Sequence, residues 1–384
     1  MKKQQTTIEI CGIGFPNKGA ELMLIAIMQH MTKYSIRWCM APKNDFAYRS
    51  QYQLWQKTQI DRFGINFAKP LSVLPDKFRR FFGLINESQV DIVFDASGFA
   101  YGDQWGLQNT QRLLRNVTKW HKQGKKIVLF PQAFGPFELP QHSQLIEKIC
   151  SKVDLIFARD ADSYQFILNK TSKKNLFLSP DFTPLVTTEA YKSSIRFKDY
   201  VCIIPNNKML TQGDKSEQAH YIEFIVHQVN TALLVTDKIV LLSHDGQRDK
   251  SLLDSIQSQI NKPISCLYID SATELKSVIA SSKVVISSRF HGLVSALSNG
   301  IPTIATGWSH KYHHLLKDYG ADEQLYKSND KDAASAYLTK LLNDEDFYLE
   351  TVQALSAKAM IHSEKIGDMW SLIENLIQIE EKSK

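Results

Sequence analysis

The chain has 384 residues, of which 43% are apolar and 22% charged, and its formal net charge is +6. That length is generous for one core and suits two domains. No apolar run approaches the roughly 18–20 residues of a membrane-spanning helix, and the lysines form no arm or stripe of the kind that binds nucleic acid, so the modest positive balance favours anionic substrates or an anionic membrane face.

Thr6 to Cys11 alternates as a strand and runs into GIGFPNKGAELMLIAIMQHM, a glycine-rich turn followed by a helix. The spacing of Gly12, Gly14 and Gly19 is not the dinucleotide fingerprint, because the third glycine comes late and Pro16 interrupts. The next strand, Ile36 to Met40, does not end on an acidic residue placed for a ribose, so no nicotinamide cofactor is expected. Asn17, Lys18, Gly19 and Glu21 lie at a helix start in a ligand-facing turn, where capping and acceptor binding are both open.

Val90 to Phe94 is a strand whose exit loop, DASGFAYGDQWG, mixes glycines with aspartates, Tyr101 and Trp105. Such a loop suits sugar stacking and hydroxyl recognition, with Ser97, Gly98 and Asp103 as candidate contacts; a plain Ω-type loop is the competing reading. Gly124 closes the next helix, and Lys126 to Pro131 is a strand followed by QAFGPFELP. Asp154 to Ala158 is another, after which Arg159 and Asp160 open a helix carrying Ser163 and Tyr164. Asn175 to Leu178, followed by SPDFTP, ends this half.

From about Pro184 to Lys198 the apolar period is lost and a linker is expected. A second alternating series follows: Tyr200 to Ile204 ending in PNNK, Ile239 to Ser243 ending in HDGQRDK, and Ile264 to Ile269 before a helix that begins near Ser271. Val284 to Ile286 is a β-branched run, Ser287 to His291 a turn, and Gly292 to Asn299 a packed helix that Gly300 caps and Pro302 stops. Thr303 to Ala305 is the next strand, and after Gly307 to Ser309 a second helix opens at His310 and Lys311 and ends at Gly320. From Asp330 onward the chain reads as helices. Open α/β sheets bind ligands beyond the carboxyl ends of their strands, against helix N-termini. Arg289, His291 and Lys311 are therefore expected to converge on one anion-binding pocket. The alternative is that Arg289 braces a carboxylate and His291 caps its helix.

The expected architecture is α/β, with two Rossmann-like domains facing a cleft: residues 1–190 on the acceptor side, 198–362 on the donor side, and a C-terminal helix, 363–384, that packs back on the first domain. Cys11, Cys39, Cys150, Cys202 and Cys266 stand singly in apolar runs and read as buried thiols; no metal-ligand spacing occurs, and no metal is expected. The start, MKKQQTTIEI, passes straight into a strand without a signal-peptide core, which leads to the expectation of a cytoplasmic protein.

SSRFHGLVSALSNGIPTIATGWSHK closely resembles the signature of the polysaccharide pyruvyltransferase family, an Arg-x-His-Gly/Ala segment before a small helix, a Gly-Ile/Val-Pro turn and a downstream lysine. NKGAELML is similar to the family's Asn-x-Gly-Ala/Asp-Glu opening, FARDADSYQFI to its Arg-Asp/Glu-x-x-Ser helix start, and HDGQRDK and SPDF also have counterparts. DASGFAYGDQWG departs from the many relatives that carry a glycine pair and an aliphatic run there. The resemblance implies a glycosyltransferase-B-like fold and transfer of a pyruvyl ketal from phosphoenolpyruvate to two hydroxyls of a sugar in a cell-surface polysaccharide or its precursor, free or lipid-linked. It implies no cofactor, with the donor as a substrate, and it allows peripheral attachment at the inner face of the membrane.

By the same resemblance Arg289, His291 and Lys311 handle the donor, flanked by Phe290, Gly292 and His244, and Arg159 is the matching arginine of the first domain. The chemistry agrees. Phosphoenolpyruvate is compact and strongly anionic, and protonation of its methylene carbon, for which His291 is the natural acid, makes C2 electrophilic. The competing functions are a glycosyltransferase reading a nucleotide sugar through Asp270 or Glu274, and a non-catalytic glycan or phosphate sensor.

Overall fold

Most strands of this chain are short runs rich in β-branched and aromatic residues, too apolar on both faces to lie at a surface. Helices carry the chain back between them, the pattern that forces parallel sheets covered on both sides. The computed structural model describes residues 5–15, 17–42, 46–58, 61–62, 65–66, 69–171, 174–188, 198–212 and 214–378. The chain divides into two compact units. Unit 1 comprises Met1–Phe15, Met23–Phe182 and Lys365–Lys384, and unit 2 comprises Pro16–Leu22 and Thr183–Glu364. Most of the expected linker, residues 189–197, lies outside the described residues.

In chain order the first half carries β1 (Thr6–Cys11), α1 (Lys18–His30), β2 (Ile36–Met40), α2 (Phe46–Gln51), β3 (Trp55–Lys57), the small hairpin β4 (Asp61–Arg62) and β5 (Ile65–Asn66), α3 (Lys69–Ser72), α4 (Asp76–Phe81), β6 (Leu84–Ile85), β7 (Ile92–Asp95), α5 (Leu107–Lys122), β8 (Lys126–Gln132), α6 (Pro140–Cys150), β9 (Leu155–Ala158), α7 (Ala161–Leu168) and β10 (Leu176–Leu178). Eight of these strands form one sheet in the order β10-β9-β8-β7-β1-β2-β3-β6. Every pairing in that sheet is parallel. The chain leaves β1 towards β2 and later returns beside it at β7, so the switch point lies between β1 and β7. There Gly12, at φ +81°, brings its loop so close to the next that a Cβ would lie 2.4 Å from the Ser97 amide nitrogen. The end of the chain's last helix, from Lys365, belongs to this unit. Trp370 stacks on His30 at 4.0 Å and meets Phe130 edge-on at 5.5 Å, while Glu374 lies 2.9 Å from both His30 Nε2 and Lys33 Nζ.

The second half carries β11 (Tyr200–Ile204), α8 (Lys215–Leu233), β12 (Ile239–Ser243), α9 (Lys250–Gln257), β13 (Ser265–Tyr268), α10 (Ala272–Ala280), β14 (Ser282–Ser287), α11 (Phe290–Leu297), β15 (Thr303–Ala305), α12 (His310–Asp318), α13 (Lys331–Asn343) and α14 (Glu345–Ile377). Its five parallel strands run β13-β12-β11-β14-β15, with the switch point between β11 and β14. Alternation along the strands splits the core. Val201, Ile203, Leu241, Val284 and Ile286 face α8, α9 and α13, whereas Cys202, Ile204, Val240, Leu242 and Val285 face the other way, with residues of α10 and α11. Each such aliphatic side chain contributes about 1.5–3 kcal/mol by leaving water. Helix α11 starts at Phe290, two residues earlier than its apolar pattern predicts. The extended backbone of Arg289 forms its N-cap, and the Ser287 hydroxyl accepts the Arg289 N–H at 3.0 Å.

Candidate functional site

The turn between β14 and α11 is built to hold one backbone shape. Ser288 is fully buried, and its carbonyl accepts the Tyr312 hydroxyl at 3.0 Å and the Asn206 side-chain amide at 2.9 Å. Its own hydroxyl meets those of Tyr221 at 2.8 Å and Thr306 at 2.6 Å. Burial pushes the Tyr221 phenol up to about 12, so it stays a neutral partner.

Arg289, next in the turn, reaches across the switch point. Its Nε donates to the Pro205 carbonyl at 3.2 Å, Nη1 to Asp245 Oδ2 at 2.7 Å and Nη2 to Asp249 Oδ1. The carboxylate-bracing role that sequence left open is thus the one present here, and it ties together the exit loops of β11, β12 and β14. Asp249 is the hub: it also accepts the backbone N–H groups of His244 and Asp245, at 3.2 and 3.0 Å, and the side-chain amide of Asn207 at 3.0 Å. Burial disfavours the Asp245 carboxylate, yet the His244 ring, 3.7 Å away, and the Arg289 guanidinium outweigh it and hold its carboxyl well below the usual range. Sequence reasoning marked His244 and missed the two aspartates. The signal was the pair of acids in HDGQRDK, two strands from Arg289 in the sheet.

His291 and Lys311 occupy the first turns of α11 and α12, and neither helix has a side-chain cap. Ser309, the N-cap of α12, has a buried hydroxyl with no hydrogen-bond partner among the described residues. The Lys311 ammonium lies among three rings, 5.1 Å from Phe290, 5.4 Å from Trp308 and 5.4 Å from Tyr312. Phe290 in turn meets the His291 ring edge-on at 5.4 Å. Gly292 packs so tightly that a Cβ would lie 2.9 Å from Ser287 Oγ. The opening turn of α1 groups with this unit. Asn17 Oδ1 accepts the Gly19 and Ala20 N–H groups at 3.1 and 3.4 Å, and Lys18 pairs with Glu21 at 2.8 Å. Gly19 is pressed against His291: a Cβ there would lie 2.1 Å from the ring's Nδ1. Structure therefore brings Arg289, Phe290, His291, Gly292, His244 and Lys311 to one edge of a single sheet and sets Gly19 on the histidine.

In unit 1, Arg159 follows β9 and places Nη1 3.6 Å from Asp181 Oδ2, while Asp160 caps α7 through the Ser163 N–H at 2.7 Å. Beside them Gln132, at the carboxyl end of β8, is 0% exposed, and both polar atoms of its side chain have no hydrogen-bond partner among the described residues. A polar residue ending the apolar run KIVLFPQ was the overlooked signal. The Ser97 hydroxyl lies 3.3 Å from that of Tyr101, and Gly98 lies under Met23. Asp103 is taken up by the fold: it accepts the Glu138 N–H at 2.7 Å and pairs with the buried His142 at 2.7 Å.

A family model described as polysaccharide pyruvyl transferase matches residues 17–310, most of the chain. The chain belongs to that family. Among curated proteins, none matches the sequence. Solved structures resemble it in fold. A putative UDP-N-acetylglucosamine 2-epimerase from Listeria monocytogenes is 11% identical over 98% of this chain and 97% of its own, with TM-score 0.61. S. aureus MnaA in its UDP co-structure is 12% identical over 99% of both chains, with TM-score 0.61. Anabaena HepE in complex with UDP-glucose is 11% identical over 96% of this chain and 100% of its own, with TM-score 0.59. This pyruvyl transferase family member therefore has the α/β, glycosyltransferase-B-type fold of two Rossmann-like units. Among its described residues no helix is long and apolar enough to cross a membrane.

Proposed function

We propose that this family member transfers a pyruvyl ketal from phosphoenolpyruvate to two hydroxyls of a saccharide, using the carboxyl edge of the unit 2 sheet for the donor. The supporting observation is the pair of neighbouring helix starts without side-chain caps, with His291 in one first turn and Lys311 in the other. Partial positive charge from the amides, the Lys311 ammonium and the Ser309 hydroxyl suit a compact, multiply charged anion, with no metal or cofactor required. Arg289 holds the loops around that position through Asp245 and Asp249.

His291 delivers a proton to the donor's methylene carbon, and C2 becomes electrophilic as the methyl group forms. One acceptor hydroxyl adds to C2, the C2–O bond to phosphate breaks, and the second hydroxyl closes the ketal. Of the two hydroxyl protons, one replaces that given by His291 and the other leaves with the phosphate. Arg159, matching the family's other arginine, is assigned to the same reaction.

The test is incubation with phosphoenolpyruvate and candidate oligosaccharides, with phosphate release and the ketal's mass as readouts, with and without chelator. His291→Gln keeps a hydrogen bond but supplies no proton, so turnover should fall about 10²–10⁴-fold. Arg159→Ala should cost about 10²-fold. Near-normal turnover with an unchanged pH profile in the glutamine variant would remove the acid role. Cleavage of a nucleotide sugar with no phosphate released from phosphoenolpyruvate would replace this reading with a glycosyltransferase.

A further inference from the structure

Helix α4 carries its apolar stripe on the outside. Phe78 and Phe81 of the helix and Phe82, its C-cap, fall at i, i+3 and i+4, the spacing of a face that ordinarily packs on a core. Their side chains are instead 51%, 83% and 54% exposed. The rings touch one another, Phe82 lying 5.0 Å from Phe78 and 5.1 Å from Phe81 between centroids. The residue of this helix that turns inward is a charged one. Arg79 is buried and donates to the Ser72 carbonyl at 3.3 Å, to the Leu74 carbonyl and to Asp76 Oδ1 at 3.1 Å. Those bonds tie α4 to the segment before it, where Val73 is 79% exposed as well. The fold thus holds the aromatic face out by anchoring the polar one.

Cations accompany the rings. From Pro70 to Phe82 the chain holds Lys77, Arg79 and Arg80 against one carboxylate, Asp76. That carboxylate pairs with both arginines, and Lys77 and Arg80 are exposed beside the phenylalanines. Arg37 of β2 adds to the positive field: burial, and then the Arg80 charge, disfavour its protonated form.

An exposed aromatic cluster among cations matches an anionic lipid surface. Rings enter the boundary between headgroups and acyl chains, while lysine and arginine meet the lipid phosphates. A bilayer needs no complementary pocket, which suits rings that stand this clear of the fold. A second copy would set the same cations against themselves, and an apolar protein groove would leave Lys77 and Arg80 without counter-charge. We propose that α4 is a membrane-docking surface that seats unit 1 on an anionic bilayer. This stands whether or not the donor chemistry proposed above is correct.

Flotation with vesicles tests it, using phosphatidylcholine alone and phosphatidylcholine with about one-third phosphatidylglycerol. The protein should float with the anionic vesicles and much less with the neutral ones, and about 0.5 M salt should weaken its binding. Phe81→Ser/Phe82→Ser and Lys77→Gln/Arg80→Gln should each lower the partition constant about tenfold. Both should leave Tm unchanged, because these side chains face solvent. Phe81→Trp should gain fluorescence quenching by brominated lipid over wild type, which adsorption by charge alone would not give. His291→Ala should float as wild type does. The proposal is overturned if the protein does not float with anionic vesicles, if it floats equally with neutral ones, if either paired variant floats normally, or if Phe81→Trp gains no quenching. A dimer that Phe81→Ser/Phe82→Ser dissolves, in a protein that leaves vesicles unbound, would assign this face to a second copy instead.

Discussion

At the scale of single residues, Gly19 is the sharpest constraint around the candidate acid. Any side chain there meets the His291 ring, the nearest contact being 2.1 Å. Alanine is the better helix former by about 1 kcal/mol, so Gly19→Ala should leave α1 intact and displace the imidazole instead. A displacement of about 1 Å at a reacting group can cost about 10²-fold in rate. The expected outcome is a fall of that order in kcat with unchanged far-ultraviolet circular dichroism. Wild-type kinetics in this variant would show that the ring's position does not matter. The positions of Arg289, His291 and Lys311 at strand ends and helix starts were readable from short runs of sequence. That Arg289 is occupied by Asp245 and Asp249 was not, because the partners lie 44 and 40 positions away and meet only through the strand order.

At the scale of elements, unit 1 contains a buried ionic network that joins its strands. Lys57, at the end of β3, donates to Glu9 of β1 at 2.7 Å and also pairs with Glu87, which accepts the Lys125 ammonium at 2.8 Å and the Trp120 indole at 3.0 Å. Burial alone would raise the Glu87 carboxyl, but Lys57 and Lys125 outweigh it and hold it at about 2, against an ordinary 4.5. A carboxyl depressed in the fold contributes stability that is complete above the unfolded value of 4.5 and is lost as pH falls through about 2. Its share is about 3 kcal/mol. Glu9, raised by burial despite Lys57, acts in the opposite sense and offsets part of it. Glu87→Gln should destabilise the protein by about 3–5 kcal/mol at neutral pH by leaving lysines buried without their partner. It should also flatten the loss of stability on the acid side, which urea unfolding at stepped pH measures. An unaltered acid limb would mean that other carboxylates carry it.

At the scale of the whole molecule, α14 is one helix of 33 residues whose last stretch, from Lys365, groups with unit 1. Trp370 anchors it there, 2% exposed and in contact with His30, Phe130 and Phe182. Truncating a buried tryptophan to alanine costs about 3–5 kcal/mol. In a unit of this size that corresponds to a fall of about 10 °C in its Tm. Scanning calorimetry of Trp370→Ala should show the unit 1 transition moving by that amount, and an unmoved transition would make the anchor dispensable.

The sequence by itself determined the alternation of strands and helices, hence the parallel sheets, the carboxyl-edge position of the cationic turn and, through the arginine–histidine segment, the family. These depend on local periodicity and turn chemistry, which operate within a few residues. Tertiary structure alone decided which groups the turn meets: two aspartates from the β12 loop and a glycine from the start of α1. Those partners are set by the order in which strands lie side by side and by how helices close over them. A period of two or 3.6 residues says which face is apolar and nothing about which distant segment will cover it.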